Sequence, residues 1–502
     1  MSRKKIIEPK KPNKNIDKKV ITEIKKTKKS KKDLATVTGM RDILPQDQKY
    51  WEKVREVAKQ ISKDYGYERI DTPILEYSEL FVRGVGAGTD IVEKEMFSFV
   101  DQGGDNLVLR PEGTASVVRA YIQHGMLNQT QPVKFFYIGP LFRHEKPQSG
   151  RYRQFFQFGF EAIGEENPAL DAQLILMGWN SLNDLGIESV IQVNSIGCKE
   201  CREEYKKALI KYYKTKTKLL CESCKTRITK NPLRLLDCKE EGCRGVRENA
   251  PQILDYLDDA CKDHFMKVVG YLDELDLPYI LNPYLVRGLD YYSRTIFEYW
   301  AIDDTEGKNA LGGGGRYDSL VKILGGREDT PACGLSMGVD RIVAKMREKN
   351  IEVSEERIDV FVAQLGDAAK KKAMVMYENL RKNSAFTVSQ AFHKDSLKKQ
   401  LEIANKMRVK FTLIIGQKEV GDGTIMLRDM QGGVQEVIDF NKIERELKKR
   451  LEKYNEGAVI DLTQNEEGES KTEMSGNVSK SIENLEDEIE DVEVIEKLDL
   501  EE

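Results

Sequence analysis

The 502-residue sequence has no run of about 18 consecutive apolar residues, the length that a membrane-spanning helix needs. Its start has no apolar segment of the kind found in secretory signal peptides, and its lysine-rich, serine-poor composition is unlike an organelle transit sequence. These absences predict a cytoplasmic protein with no membrane partner. A reducing cytoplasm also disfavours disulfides among the eight cysteines.

Charge is nearly balanced overall but is unevenly placed. The chain has 80 basic and 84 acidic residues, yet residues 1–33 are mostly lysine and the tail from about Glu466 is mostly Glu and Asp. Both ends have too few apolar residues to offset the entropy of ordering, so residues 1–33 and 455–502 are predicted to be disordered extensions. The basic arm would hold a phosphate backbone without reading sequence. The alternatives are a solubilising tail and a segment that pairs with the acidic tail.

Between these ends, the length allows two or three domains. Hydrophobic periodicity predicts a helix near residues 47–64, a hairpin over residues 96–110 and a continuous apolar strand over residues 133–138. After a polar linker near residues 347–357, strands alternate with helices over residues 358–415, which predicts a small α/β unit.

The strand predicted over residues 154–161 is the clearest sign of a binding site. Strict alternation puts three phenylalanines on one face and three other residues, Gln157, Gly159 and Glu161, on the opposite face. An apolar back and a polar front, with a glycine between two hydrogen-bonding side chains, predict the floor of a small polar pocket. An ordinary solvated strand face is the alternative.

The hairpin loop that precedes this strand is rich in potential cations. It carries Arg143, His144, Lys146, Arg151 and Arg153. A solvated loop accounts for one or two of them, whereas a highly anionic ligand such as a nucleoside triphosphate accounts for the whole set.

Two Cys-x-x-Cys pairs occur next, Cys198 with Cys201 and Cys221 with Cys224, separated by 19 residues. This spacing fits a four-thiolate zinc ribbon, and ordinary reduced thiols are the alternative. The segment from about residue 198 to residue 283 is predicted to be an inserted helical module that lies outside the pocket.

Two further stretches have the composition of a ligand site. The glycine-rich run at residues 312–318 allows a backbone to approach a ligand closely, but it is no Walker loop, because no Gly-Lys-Ser/Thr follows. Residues 334–341 lead into a predicted helix and place an arginine, Arg341, where strand meets helix.

These motifs resemble those of a known family. Residues 110–114, 142–145 and 334–341 resemble the second and third signature motifs of class II aminoacyl-tRNA synthetases. Residues 285–292 and 313–318 resemble the two peptides peculiar to histidyl-tRNA synthetases. The resemblance runs from about Gly39 to about Tyr454, with order and spacing preserved. Ser336 departs from the pattern, because the family usually has glycine or alanine there.

The resemblance implies an α+β fold in which a mostly antiparallel sheet flanked by helices forms a catalytic domain over residues 34–346. The cysteine-rich helical insertion interrupts that domain, and a C-terminal α/β anticodon-binding domain follows at residues 357–454. Pro73 resembles the proline of the first class II motif, which lies at the dimer interface in the family. A homodimer is therefore implied.

The implied activity has two steps. The histidine carboxylate attacks the α-phosphate of ATP, which carries Mg²⁺, and the histidyl group then passes to the 3′-terminal adenosine of tRNA(His). Structural zinc is a possible further cofactor. Such chemistry depends on in-line positioning and charge neutralisation more than on a base.

The resemblance also assigns roles to individual residues. Arg143 and Arg287 are the catalytic residues: Arg143 grips the α-phosphate and the carboxylate, and Arg287 adds positive charge at the α-phosphate. Arg341 and Arg151 hold the far end of the ATP. Glu112 and Thr114 accept from the α-ammonium group, and Glu161 accepts from the imidazole N–H. The histidine site as a whole consists of Glu112, Gly113, Thr114, Arg143, Gln157, Glu161, Arg287, Tyr291 and Tyr292.

Two functions of other classes are alternatives. A non-catalytic, synthetase-like regulatory subunit of histidine biosynthesis should lack the third domain and the peptide around Arg287, and both are present here. A nucleotide-binding sensor module, as in the synthetase-like regions of stress kinases, should accompany a kinase signature, and the sequence has none.

Overall fold

The described part of the chain is nearly continuous. The structure, a computed structural model, describes residues 34–146, 150–304, 309–353, 358–383 and 385–466, with side chains as far as residue 454. The predicted basic extension and the tail beyond residue 466 lie outside this part. The chain divides into two compact units between Ile351 and Glu352. Among the described helices, none is long and apolar enough to cross a membrane.

A large sheet dominates the first unit. The strands of this unit are β1 (Glu68–Arg69), β2 (Leu75–Tyr77), β3 (Phe97–Val100), β4 (Asn106–Leu109), β5 (Val133–Phe142), β6 (Gln154–Ile163), β7 (Ser189–Ser195), β8 (Tyr279–Leu281), β9 (Ser293–Ala301), β10 (Gly312–Arg316) and β11 (Ala332–Gly338). Within the described residues, eight of them form one sheet in the order β1-β5-β6-β11-β10-β9-β7-β8. Only the two edge pairs, β1 with β5 and β7 with β8, are parallel. The predicted antiparallel sheet is confirmed.

Ten α-helices, some of which cover the large sheet, accompany these strands among the described residues. They are α1 (Gln48–Asp64), α2 (Ser78–Val85), α3 (Thr114–Gln123), α4 (Pro168–Asn183), α5 (Lys199–Thr215), α6 (Glu222–Lys230), α7 (Glu241–Arg247), α8 (Asp259–Glu274), α9 (Leu320–Ile323) and α10 (Val339–Glu348). Helix α1 contacts α4 and α10, and α10 also lies against β6. The apolar back of β6 faces this layer: Phe158 and Phe160 are fully buried, and the Phe156 ring meets the Trp51 ring edge-on at 5.2 Å.

The glycine-rich run predicted to approach a ligand is strand β10, in the interior of the sheet between β9 and β11. A Cβ atom on Gly314 would lie 2.0 Å from the carbonyl oxygen of Gly334, so this position needs glycine for strand packing. Arg316 is fully buried and donates from Nε to the Asp171 carboxylate on α4 at 2.8 Å. This part of the run is therefore a structural anchor, and the approach to a ligand is limited to its first residues.

The cysteine-rich module is helical, as predicted, but it is shorter than residues 198–283. Strand β8 joins the large sheet as the parallel neighbour of β7. Helix α8 packs against α4, and so it also belongs to the layer that covers the sheet. The apolar strand pattern of residues 279–281 is short, which is why the sequence alone left it inside the module.

The second unit is a small α/β domain. Its strands are β12 (Val360–Gln364), β13 (Val388–Gln390), β14 (Phe411–Ile415), β15 (Thr424–Asp429) and β16 (Gln435–Asp439), and its helices are α11 (Asp367–Lys382), α12 (Leu397–Lys406), α13 (Gln417–Asp422) and α14 (Ile443–Glu466). The sheet order is β13-β12-β14-β15-β16, with a parallel centre and antiparallel later strands. Helix α14 continues past residue 454, where the sequence placed the end of this domain.

Candidate active site

A cavity of about 300 Å³ opens over the polar face of β6, β10 and β11. All of the residues predicted for the histidine and ATP sites line it except Glu161. They are Glu112, Gly113, Thr114, Arg143, Arg151, Gln157, Arg287, Tyr291, Tyr292 and Arg341. These residues come from segments far apart in the chain, and the fold brings them to one surface.

Arg143 and Arg151 reach the cavity from opposite ends of the hairpin loop between β5 and β6. The Nε of Arg143 donates to the carbonyl oxygen of Pro111 at 2.9 Å, which fixes the plane of its guanidinium group. Both arginines share one carboxylate, Glu145, whose oxygens lie 3.9 Å from Arg143 and 3.2 Å from Arg151. One carboxylate for two guanidinium groups leaves this wall cationic.

Two more arginines complete the cationic wall. Arg287 forms an ion pair with Glu298 of β9, and its guanidinium lies 5.6 Å from the centre of the Tyr292 ring. Arg341, in the first turn of α10, donates to the carbonyl oxygen of Ala310 at 2.6 Å. Burial, together with the neighbouring Arg151, lowers the pKa of Arg341 to about 10. These like charges repel one another in a partly desolvated site. A polyanionic ligand would offset that repulsion.

The cavity also contains a buried carboxylate, Glu112, which directly follows the Pro111 carbonyl that Arg143 contacts. Glu112 accepts from the backbone N–H groups of Thr114 and Ala115, both at 2.8 Å, at the start of α3. The Tyr291 hydroxyl donates to the same carboxylate at 3.3 Å. Burial raises the pKa of Glu112, and the two backbone donors oppose that shift. This carboxylate has remaining lone pairs that face the cavity, where an ammonium group would find an acceptor.

Glu161 lies just behind the residues that line the cavity, and its predicted hydrogen bond to the imidazole stays a prediction. One of its oxygens accepts from the Thr114 hydroxyl at 2.7 Å, and the other accepts from the Tyr317 hydroxyl at 2.6 Å. The side chain is 1% exposed, and burial raises its pKa to about 8. The alternation on β6 correctly gave the face of Glu161, but Thr114 and Tyr317 come from elsewhere in the chain and cover it.

Tyr137 of β5 lines the same cavity and was not predicted. A Cβ atom on either Gly113 or Gly159 would lie 2.5 Å from its ring, so the two glycines make room for the tyrosine. This is a second reason for a glycine in the polar face of β6, beside the room for a ligand that the sequence suggested. The sequence pattern hid Tyr137, because it sits in a strand that is apolar almost throughout.

Gln157 is held by a residue at which this chain departs from the family pattern. The Ser336 hydroxyl, on β11, donates to the side-chain oxygen of Gln157 at 2.7 Å. Because this bond uses the side-chain oxygen of Gln157, the NH₂ group of the amide stays available as a hydrogen-bond donor.

Glu298 of β9 also lines the cavity and was not predicted. A carboxylate in the otherwise apolar alternation of β9 was the signal that could have identified it.

The loop cations do not all serve one ligand, which corrects the expectation that the set binds a triphosphate. His144 is exposed and packs edge-on against Phe97, with ring centres 5.3 Å apart. Arg153 donates to the carbonyl oxygens of Glu145 and Thr38 and holds the loop. Lys146 is exposed and does not line the cavity. Only the two arginines of this loop reach the cavity, because hairpin geometry turns the other side chains away.

The four cysteines predicted to form one zinc ribbon lie in two separate groups. Cys198 and Cys201 group with Asp258 and Cys261, whereas Cys221 and Cys224 group with Cys238 and Cys243. Helix α5 separates the two pairs, and its 17 residues span about 25 Å. Chain spacing alone did not reveal that each pair finds its partners further along the chain. All eight cysteines are free thiols.

A second chamber of about 420 Å³ adjoins the first. The two share the residues Arg151, Gly288, Glu298, Ala310 and Arg341. The second chamber extends towards the cysteine-rich module, and its charged lining is mostly basic: Arg151, Lys239, Arg244, Arg247 and Arg341, against Asp237 and Glu298. Anionic groups too long for the first chamber would find a cationic surface there.

Comparison with known proteins agrees with this geometry. Residues 39–342 match the family model described as histidyl-tRNA synthetase, and residues 359–450 match the model of an anticodon binding domain. The histidine–tRNA ligase of Dehalococcoides mccartyi is 47% identical over 416 residues, which cover 82% of this chain and 99% of the relative. The histidine–tRNA ligase of Halothermothrix orenii is 44% identical and covers 82% of this chain and 98% of the relative.

Solved structures show the same fold. The apo histidyl-tRNA synthetase of Staphylococcus aureus superposes with a TM-score of 0.70 at 34% identity and covers 83% of this chain and all of that chain. A structure from Bacillus halodurans, described as an ATP phosphoribosyltransferase regulatory subunit/histidyl-tRNA synthetase, has a TM-score of 0.55 at 19% identity and covers 77% of this chain and 99% of that chain. That second likeness concerns the fold alone.

Proposed function

Because the chain belongs to the histidyl-tRNA synthetase family, we propose that the first chamber is where it joins L-histidine to ATP. Ligation of histidine to tRNA, the activity named for its relatives, is the function of the chain. One observation carries the assignment of the site. A single cavity contains a buried carboxylate and four arginines, so an amino acid and a triphosphate would meet in it.

The reaction in this chamber forms histidyl-adenylate. A carboxylate oxygen of histidine attacks the α-phosphorus of ATP, the bond to the bridging oxygen breaks, and pyrophosphate leaves with that electron pair. ATP enters as its Mg²⁺ complex, as triphosphates commonly do. A ribose hydroxyl at the 3′ end of tRNA(His) then attacks the histidyl carbonyl, loses its proton and releases AMP. Charge spreads over phosphate oxygens in the first step, and fixed guanidinium groups stabilise it.

The arginines divide this work by position. Arg143, its plane fixed by Pro111, holds the histidine carboxylate beside the α-phosphate. Arg287 reaches the same phosphate from the β9 side of the cavity, where its partner Glu298 keeps it oriented. Arg341 and Arg151 take the distal phosphates, since they lie where the first chamber opens into the second. The planar guanidinium groups of Arg143 and Arg287 would each bind phosphate oxygens in a bidentate way. They would thereby orient the α-phosphate for in-line attack as well as neutralise its charge.

The carboxylate end holds the amino acid. Glu112 and the Thr114 hydroxyl accept from the α-ammonium group, and the Gly113 backbone leaves room for it. Gln157 and the Tyr291 and Tyr292 rings surround the side chain. Glu161 fixes the hydroxyls of Thr114 and Tyr317 beside this pocket and would accept from the imidazole N–H of the bound histidine. A site lined by hydrogen-bonding groups rejects amino acids that cannot pair with them.

The regulatory-subunit alternative fits the chain less well. A regulator that makes no adenylate has no need for arginines at both ends of a triphosphate, yet the four arginines converge here. The anticodon-binding domain is also present over residues 359–450. Catalysis is therefore the better explanation of the whole chain.

The limits and assembly of the chain are part of the proposal. The catalytic domain occupies residues 34–346, and the anticodon-binding domain begins at residue 357 and includes helix α14, which ends at Glu466. Residues 1–33 and the tail beyond residue 466 are extensions, and the cytoplasm is the place of action. Structural zinc remains a proposal for the cysteine-rich module, because the module supplies groups of thiols at ligand distance.

We further propose that the chain forms a homodimer through the small sheet β2-β4-β3. The face of this sheet that carries Leu75, Tyr77 and Phe99 is exposed, and these side chains are 45%, 60% and 45% accessible. Exposed Pro73 precedes β2 beside this face. A contiguous apolar surface of this kind is typical of an interface. Sedimentation of the Tyr77→Asp variant tests it: a monomer is expected, and an unchanged dimer would refute this interface.

Histidine-dependent exchange of labelled pyrophosphate into ATP tests the main proposal. We expect the full chain to incorporate label with L-histidine and to incorporate none with any other amino acid. The matched control is the same assay with histidinol, which lacks the carboxylate that attacks phosphorus. Exchange that does not depend on histidine would refute the proposal.

A further inference from the structure

Four thiols of the cysteine-rich module come together at ligand distance. The sulfur atoms of Cys221, Cys224, Cys238 and Cys243, here called the tetrathiolate cluster, all lie within 4.8 Å of one another. Three of these side chains are buried and Cys221 is half-buried. The group includes only one of the two Cys-x-x-Cys pairs, so it is not the ligand set that chain spacing predicts.

The spacing of the sulfurs is that of a metal site. With Zn–S bonds of about 2.3 Å, the sulfurs of a tetrahedral site lie about 3.8 Å apart. The Sγ atoms of Cys221 and Cys238 are 3.9 Å apart. A disulfide needs sulfurs at about 2.05 Å, so this pair is open to a metal without first breaking a bond.

The backbone around the cluster favours thiolates. The N–H of Cys224 points to the sulfur of Cys221 at 3.4 Å, and the N–H of Cys221 points to the sulfur of Cys243 at 3.3 Å. Donors directed at sulfur stabilise its negative form, and hydrogen bonds of this kind orient metal ligands. Several buried thiolates together need a cation to offset their mutual repulsion.

The other cysteine group satisfies itself without a cation. The thiols of Cys198 and Cys201 lie 3.1 Å and 3.2 Å from one oxygen of Asp258, which accepts from them. The other oxygen of Asp258 accepts from the N–H of Cys261 at 2.7 Å and caps α8. Asp258 is also exposed to water. The negative charge of Asp258 is already stabilised by these thiol and N–H donors. Four thiolates that face one another repel one another, so a metal ion would stabilise them more.

We propose that the tetrathiolate cluster binds one structural zinc ion, which ties together the part of the module that faces the active site. Tetrahedral four-sulfur sites suit zinc or iron, and thiolates bind zinc without redox chemistry. This inference goes beyond the ligase function and does not depend on it.

The position of the cluster gives the ion a mechanical role. Arg227 and Arg234, on either side of the turn between Cys224 and Cys238, both pair with Asp90, at 3.3 Å and 3.0 Å. Asp90 immediately precedes Ile91, which lines the first chamber. The zinc therefore holds the segment that attaches the module to the wall of the active site.

The same segment forms a wall of the second chamber. Asp237 and Lys239 flank Cys238 and line that chamber near Arg341 and Arg151. When the ion is absent, this wall is no longer tied to α6. We therefore expect metal loss to raise the KM for ATP severalfold and to change the KM for histidine much less, because no residue between Cys221 and Cys243 lines the first chamber.

The direct test is the metal content of the full chain, purified without chelator and measured by elemental mass spectrometry. We expect about one zinc per wild-type chain, almost none in Cys238→Ser and in Cys243→Ser, and an unchanged amount in Cys201→Ser. Cys201→Ser is the matched control, because it alters a buried Cys-x-x-Cys thiol outside the cluster. Loss of zinc in Cys201→Ser with retention in Cys238→Ser would overturn the ligand assignment.

A second measurement covers the case in which the serine variants fail to fold. Wild-type chain stripped by a chelator is titrated with Co²⁺ and followed by its absorption. We expect one Co²⁺ to bind with the intense sulfur-to-metal charge-transfer bands of four-thiolate coordination, and Zn²⁺ to displace it. Absence of these bands, iron in place of zinc in the purified chain, or a chain without bound metal would each overturn the proposal.

Discussion

Arg287 offers the sharpest test of the active site, because its structural and catalytic roles can be separated. Its side chain and that of its partner Glu298 are only 18% and 15% exposed. Removing one member of a buried pair strands the other charge, which costs about 3 to 5 kcal/mol of stability. We therefore expect Arg287→Ala to lower the free energy of unfolding by about that amount, with Glu298 as the source of the loss.

The catalytic loss should be of similar size but different origin. Deleting one fixed donor that stabilises transition-state charge costs about 3 to 4 kcal/mol, which is a factor of about 10² to 10³ in rate. Histidine-dependent pyrophosphate exchange measures this loss directly. Exchange by Arg287→Ala should fall by at least about two orders of magnitude, measured well below the melting temperature of the variant.

The double variant Arg287→Ala/Glu298→Gln separates the two effects. Neutralising Glu298 removes the stranded charge, so we expect most of the lost stability to return, by chemical denaturation. Exchange should stay as low as in the single variant, because the charge at the α-phosphate is still missing. Recovery of exchange together with stability would show that Arg287 only supports the fold, and it would refute the catalytic role.

Two further predictions concern the carboxylate end of the cavity. The folded pKa of Glu161, about 8, lies above its ordinary value of 4.5, so its ionisation opposes folding, and stability is lost as pH rises through the folded value. Glu161→Gln should accordingly gain stability relative to the wild type between about pH 4.5 and pH 8, and a pH-independent difference in unfolding free energy would contradict this. In Gly159→Ala, the new methyl group would lie 2.5 Å from the Tyr137 ring and push it towards the cavity. We expect a raised KM for histidine with the KM for ATP little changed, and equal effects on both would argue that the strand itself is displaced.

Much of the fold was predictable because it depends on local pattern. The helix expected at residues 47–64 is α1, and the hairpin expected at residues 96–110 is β3 with β4. Alternation also placed Gln157 on the correct face of β6. The motif segments supplied the arginines, and their convergence in one cavity is a consequence of the fold.

What the sequence could not show depends on contacts between distant segments. Period-two alternation assigns Glu161 to a face but cannot tell that Thr114 and Tyr317 stand in front of it. Cysteine spacing cannot tell that α5 holds Cys198 and Cys221 far apart. In both cases the sequence identified the residue types, but it could not predict which neighbours they meet.

In the proposed site, the charge distribution would favour a single orientation of histidine relative to ATP. Four arginines line the cavity against two partner carboxylates, Glu145 and Glu298, which leaves an excess of positive charge for the phosphates of the proposed site. Burial raises the pKa of Glu112, so ionisation of this carboxyl is unfavourable while the site is empty. A bound ammonium would remove that penalty, whereas a phosphate would increase it. We therefore expect histidine to enter with its ammonium towards Glu112 and its carboxylate towards the arginines. In the proposed site, this orientation would follow from the electrostatics of the empty cavity, before any contact with the imidazole is made.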